Sequence, residues 1–235
     1  MDFKSFLKQI YHTDFTKFML QKCALCGALS NDAVCRKCEQ ILPRPQHLCR
    51  RCAKPLFQHH AICGDCLRFP PAFDEIKPVF SYQYPLDRLI TTAKYGENFS
   101  VLKQLGKWMA EHFKHEKKPD VLIPVPSYLN DLKKRGFNQS VELAKWIRKD
   151  LDIPVNTNIC HCIKQKRPQA GLSAKERHQN VKGVFEVKNI SKDWQHLVII
   201  DDVVTTGATV NEIARLFRAQ TAAKISVWAC ARALK

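Results

Sequence analysis

No stretch of the 235 residues approaches the ~18 consecutive apolar residues of a membrane span, and the N-terminus lacks the apolar core of a signal peptide. The expectation is a cytoplasmic chain with no membrane span. Neither G-x-x-x-x-G-K-[ST] nor G-x-G-x-x-G occurs, which excludes a Walker-type nucleotide loop and a dinucleotide fingerprint. No regular ladder of aromatic residues is visible, so a nucleic-acid partner would be held with little base preference. Acidic residues are scarce: 22 Asp and Glu face 38 Lys and Arg, leaving a net charge of +16. Such a balance points to a polyanion, with a solvated basic surface as the plain alternative. With 45% apolar residues the chain has material for one α/β core plus a small appendage.

Cysteine, by contrast, is abundant. Eight of the eleven fall in C-x-x-C pairs, Cys23 with Cys26, Cys35 with Cys38, Cys49 with Cys52, and Cys63 with Cys66. Each pair offers two thiolates, and four thiolates close one tetrahedral structural zinc site, so eight predict two zinc ions. A segment with few apolar side chains depends on metal for most of its folding free energy. Redox dithiols are the alternative chemistry. The short intervening loops favour consecutive pairing of the C-x-x-C turns, with a cross-braced arrangement left open. His12, His47, His59 and His60 lie nearby and read as solvent-facing, because sulfur alone completes both sites. Phe3, Phe6, Leu7, Ile10, Phe15, Phe18 and Met19 recur at helical spacing, as one or two short amphipathic helices would. Pro70 and Pro71 read as an extended linker, which divides the chain into residues 1–70 and 71–235.

The larger part is organised around residues 198–209, V-I-I-D-D-V-V-T-T-G-A-T. Residues 197–200 read as a strand buried on both faces, with Asp201 and Asp202 where it emerges. Thr205, Thr206, Gly207, Ala208 and Thr209 form a turn, after which Ile213, Leu216 and Phe217 mark a helix. Backbone amides entering a helix favour an anion, threonine hydroxyls add donors, and Gly207 admits close approach. Two carboxylates beside a phosphate would repel a simple anion and need either a polyhydroxylated partner or a metal. A ribose 5-phosphate satisfies both halves. An acidic strand end followed by a threonine N-cap is the plain alternative.

Elsewhere, residues 76–84 read as a strand and 86–93 as a helix, followed by a second helix through Leu102, Leu105, Trp108, Met109 and Phe113. Residues 121–125 form the next buried strand, leading into Val125, Pro126 and Ser127, where an X-Pro bond in the cis form would aim an amide into the site. Lys133, Lys134 and Arg135 follow as a polar turn able to hold pyrophosphate or a nucleic-acid backbone. Val141, Leu143, Ala144 and Ile147 are the inner face of a helix. Residues 153–163 read as a strand with a short connection, and Cys160, Cys162 and Cys230 as packing residues. The polar segment that includes Lys164, Lys166, Arg167 and Gln169 precedes the phosphate-cradle strand, where a lid would lie. A last strand runs from Lys224 through Trp228.

The run of apolar strand, Asp-Asp, two apolar residues and T-T-G-x-T resembles the phosphoribosyl-pyrophosphate (PRPP) signature of type I phosphoribosyltransferases. That resemblance implies a mainly parallel α/β sheet, with Asp201 and Asp202 on the ribose hydroxyls and 205–209 on the 5-phosphate, Mg²⁺ accompanying PRPP. It also implies that Val125, Pro126 and Ser127 form the pyrophosphate loop, although the prolines depart from the usual small-residue form. With the double C-x-x-C module, Lys94-Tyr95, R-G-F-N-Q at 135–139, Gln169, 172–177 and Asn180, the whole chain resembles the ComF family of competence proteins. The family implies a role in natural transformation, handling single-stranded DNA after uptake, alongside other transformation proteins.

Three functional classes remain open at this level. The first is a DNA-handling protein that binds PRPP as a ligand. The second is an active phosphoribosyltransferase using Mg·PRPP, in which Arg167 and Gln169 would close over the leaving group; no acceptor pocket or separate hood is evident for it. The third is a scaffold for transformation proteins. For the first class, the cationic surface comprises Lys133, Lys134, Arg135, Lys164, Lys166 and Arg167.

Overall fold

The computed structural model describes residues 20–56, 61–95, 98–165 and 180–233. The amphipathic N-terminal segment, His12, His59, His60, Lys166, Arg167, Gln169 and residues 172–177 lie outside these. By packing the chain divides after Ile41, between the two cysteine quartets, into Met1–Ile41 and Leu42–Lys235. The linker prolines at 70 and 71 thus fall within the second unit, because Cys49, Cys52, Ala53 and Cys66 share a core with Phe73 and Ile76.

In the smaller unit β1 (Gln21–Lys22) pairs antiparallel with β2 (Leu29–Ser30), and α1 (Arg36–Gln40) follows. Gly27, at φ 75°, supplies the left-handed residue of the turn between the strands. The larger unit repeats this plan with α2 (Gly64–Arg68) behind Cys63. It continues with β3 (Glu75–Ser81), α3 (Leu86–Tyr95), α4 (Phe99–Phe113), β4 (Val121–Pro124), α5 (Leu129–Arg135), α6 (Gln139–Leu151), β5 (Cys160–Cys162), β6 (Phe185–Val187), β7 (His196–Val204), α7 (Ala208–Arg218) and β8 (Lys224–Arg232).

Four strands form one parallel sheet in the order β3-β8-β7-β4. The two central strands are apolar on both faces, as a parallel sheet covered on both sides requires. On one face Ile76, Ile123, Leu197, Ile199, Ile225 and Val227 share a core with Val210, Ile213 and Phe217 of α7 and with the second cysteine quartet. Trp228 points the other way by strand alternation and stacks on Phe113 of α4, with ring centroids 4.2 Å apart. Helix α4 packs in turn against α6, close enough that a Cβ on Gly106 would lie 2.6 Å from Trp146 Cβ. Asp120 fixes the start of β7 by accepting from the amides of Gln195 and His196 at 2.7 and 2.8 Å.

Local differences from the sequence-based expectation have local causes. The strand expected over 76–84 ends at Ser81, ahead of a cis Tyr84–Pro85 bond. That bond is the cis peptide among the described residues, so the bond before Pro126 is trans. Residues 153–163 contribute only a single parallel bridge, Val155 to Leu122, and β5. Pro154 has no amide to donate, and Asn156 turns the chain by accepting from the Asn158 amide at 2.9 Å. Lys133, Lys134 and Arg135 form the last turn of α5 rather than a loop, ended by left-handed Gly136 at φ 76°.

Candidate functional site

Strand β7 carries Asp201 and Asp202 within its final turn-ward residues and continues to Val204. Gly207, at φ 82°, then makes the left-handed corner that starts α7, and the Ala208 amide donates to Thr206 Oγ1 at 3.3 Å. Asp201, Val203, Val204, Thr205, Thr206, Gly207, Ala208, Thr209 and Val210 line a small hollow at this helix N-terminus. Anion-favouring amides and hydroxyls thus sit beside a carboxylate.

The two aspartates are in different environments. Asp201 lines the hollow and accepts from Ser140 Oγ at 3.4 Å and from the Asp202 amide at 3.0 Å. Asp202 is half-buried, accepts from the Val203 amide at 2.7 Å, and pairs with Lys94 Nζ at 2.5 Å. Burial alone would push the Asp202 carboxyl up, but the Lys94 charge and hydrogen bond, with the Val203 amide, hold it below the usual carboxylate range. Burial likewise works against the Lys94 ammonium, and the carboxylates of Asp202 and Asp201 outweigh it, raising its pKa. Ser140 and Arg232 are site residues that motif spacing did not single out, and Lys94, quoted with Tyr95 for the family resemblance, had no partner assigned to it. Arg232 leaves a local signal, a cation that follows the apolar run of residues 227–231.

The R-G-F-N-Q segment is built for positioning. Gly136 ends α5, and Phe137 is buried against Phe99 with centroids 4.9 Å apart. Asn138 caps α6 by accepting from the Ser140 amide at 2.9 Å, while its Nδ2 donates to the Val125 carbonyl at 3.0 Å. One side chain therefore fixes both the helix carrying Ser140 and the loop of Val125, Pro126 and Ser127. Lys133 and Lys134 are exposed, Arg135 is half-buried, and Lys164 is exposed beyond β5.

The cysteines assemble consecutively into two quartets, Cys23, Cys26, Cys35 and Cys38, and Cys49, Cys52, Cys63 and Cys66, each with its sulfurs within 4.8 Å of one another. The Cys26 and Cys35 sulfurs are 3.7 Å apart, and those of Cys52 and Cys63 3.6 Å. A tetrahedron of ~2.3 Å Zn–S bonds has edges of about 3.8 Å, so the donor sets fit zinc. The quartets are alike in detail: the Cys35 amide donates to Cys23 Sγ, and the Cys63 amide to Cys49 Sγ, each at 3.3 Å. Burial disfavours those two thiolates, but surrounding amides outweigh it and bring Cys23 down to about 6 and Cys49 to about 7. Cys160 and Cys162 lie on β5 and Cys230 within β8, outside both quartets, and burial pushes the Cys230 thiol up. Exposed His47 is in neither set.

A parallel sheet with an acidic strand end and a threonine-rich helix entry, preceded by a pair of four-cysteine sites, defines a phosphoribosyltransferase-type domain with zinc ribbons. Comparison agrees: residues 18–67 match the double zinc ribbon domain, and residues 92–233 match the phosphoribosyl transferase domain. Among curated relatives, Competence protein F of Haemophilus influenzae is 34% identical over 215 residues, covering 87% of this chain and 93% of that protein. DNA utilization protein YhgH of Escherichia coli (strain K12) is 32% identical over 225 residues, covering 90% and 97%. Competence protein ComFC of Bacillus subtilis is 26% identical over 195 residues, covering 79% and 78%. The chain belongs to this ComF family of competence and DNA utilization proteins. Among the described residues no helix is long and apolar enough to cross a membrane.

Proposed function

We propose that the chain binds Mg·PRPP at the β7–α7 turn and handles single-stranded DNA in the cytoplasm, in the service the relatives' names describe. The observation that carries the PRPP part is one hollow combining the Asp201 carboxylate with the hydroxyls and amides of residues 205–209. In that reading Asp201 accepts from the ribose hydroxyls, while Asp202, charged through Lys94, holds its neighbour's backbone. Thr205, Thr206, Gly207, Ala208 and Thr209 receive the 5-phosphate, and Val125, Pro126 and Ser127 the pyrophosphate, with Mg²⁺ neutralising part of its charge. Two zinc ions hold the cysteine quartets. Calorimetry with Mg·PRPP tests the site: Asp201→Asn should lose ~1.5 to 3 kcal/mol, roughly ten- to over a hundredfold in affinity. Unchanged affinity would place the ligand elsewhere.

The second reading is an active phosphoribosyltransferase with an unidentified acceptor. A cleft lined by Pro126, Ser127, Leu132, Val141, Thr157 and His161 opens beside the pyrophosphate loop and offers an acceptor room. Release of pyrophosphate from labelled PRPP, with candidate bases and with single-stranded DNA present or absent, separates transfer from ligand binding.

A further inference from the structure

Arg232 ends β8 and is only 2% exposed. A guanidinium taken out of water is strongly disfavoured unless opposite charge and acceptors meet it. Among the described residues no carboxylate lies within ion-pairing distance of Arg232. Its acceptors are carbonyls from two separate places. Nε donates to Cys52 O at 3.1 Å. Nη1 donates to Val204 O at 3.0 Å, to Ala233 O at 3.1 Å, and to Thr205 O.

The charge that faces it comes from the second quartet. Cys52, whose carbonyl accepts from Nε, is itself a member of that quartet. Four thiolates around one divalent zinc carry a net charge of −2, so the filled site is an anion beside the buried cation. Beyond the cation lie the two carbonyls at which β7 passes into the threonine turn. A trans peptide sets its N–H opposite its C=O, so holding the Val204 and Thr205 carbonyls on Arg232 aims the Thr205 and Thr206 amides away from it.

We propose that Arg232 is a positioning residue coupling the second cysteine quartet to the phosphate-binding turn. Metal in the quartet fixes the guanidinium, and the guanidinium fixes the turn. Coupling of this kind is reciprocal, so a ligand that orders the turn strengthens retention of that zinc ion. The ligand half of the inference rests on reading the turn as the 5-phosphate site; the link between metal and Arg232 does not.

The test uses the full-length, zinc-loaded protein. Zinc is titrated against a zinc-buffering chelator with and without saturating Mg·PRPP, whose binding is measured first by calorimetry. One of the two ions should be held at least about fivefold more tightly with PRPP bound. Arg232→Lys keeps the charge but loses the planar fork, and should abolish that difference. The wild-type comparison needs no variant to fold, and equal zinc affinity with PRPP demonstrably bound overturns the coupling. If calorimetry shows no PRPP binding, the reading of the turn fails instead. The metal link is then judged without ligand: Arg232→Lys should weaken retention of one zinc ion by about fivefold, and unchanged retention overturns it.

Discussion

Asp202 and Lys94 form a largely buried pair, with side chains 17% and 25% exposed, and removing one partner leaves the other's charge poorly solvated. The Asp202 pKa is depressed by folding, so its contribution to stability is present above the ordinary carboxylate range and is lost as pH falls through the folded value. Lys94 is raised, so its contribution is complete below the ordinary lysine value and is lost as pH rises through the folded one. Both operate at neutral pH. In Lys94→Met, burial would govern Asp202 and push its carboxyl up, so stability at pH 7 should fall by ~3 kcal/mol. The acid limb of the stability profile should also move to higher pH, as urea denaturation across about pH 4 to 8 would record. An unmoved acid limb would mean that another group compensates Asp202. Lys94-Tyr95 stood out at the sequence level through the family resemblance, but its pairing with Asp202 did not, because the two residues are brought together only by the fold.

Elements were legible where periodicity and breakers agreed. The apolar run of β7, the helical spacing of α4 and α6, and the threonine turn all stand where the sequence puts them, since a doubly covered sheet leaves few other uses for such runs. The segment at 129–135 was harder, because its helix buries none of its residues and so has no apolar stripe to read. Close helix approach was equally invisible: Gly106 looks like a weak point in α4 until Trp146 is seen against it. Gly106→Ala removes ~1 kcal/mol of helix penalty yet forces a Cβ into a space of 2.6 Å, where overpacking costs ~1 to 3 kcal/mol. The substitution should therefore be neutral to destabilising, and Gly106→Val clearly worse, by denaturant midpoint. A stabilised Gly106→Ala would show that α4 and α6 have room to part.

At the scale of the whole molecule, the cysteine spacing revealed two four-cysteine clusters but not that the second is part of a larger core. Composition breaks at the linker prolines, whereas packing follows Cys49, Cys52, Ala53 and Cys66 into the core of the sheet. Cys63→Ser should accordingly lose one zinc ion by elemental analysis and also lower the thermal midpoint of the larger unit; an unchanged midpoint would make the second quartet an appendage. The charge distribution makes a separate demand. Residues 1–70 carry eleven Lys and Arg against five Asp and Glu, and residues 131–182 carry twelve against five, which is most of the +16. A strand of DNA on such a surface releases counterions, so log affinity should fall with log salt by about 0.7 for each phosphate neutralised. Lys133 and Lys134 are exposed at the end of α5, where the helix dipole is negative, so their charge is already partly balanced locally. Replacing Lys133, Lys134 and Arg135 by Gln should nevertheless weaken binding and flatten the slope by up to about 2, one phosphate contact for each residue. The second cluster, Lys164, Lys166 and Arg167, provides the comparison. If only that triplet flattens the slope, DNA does not follow α5; if neither does and affinity is insensitive to salt, the cationic surface serves a protein partner.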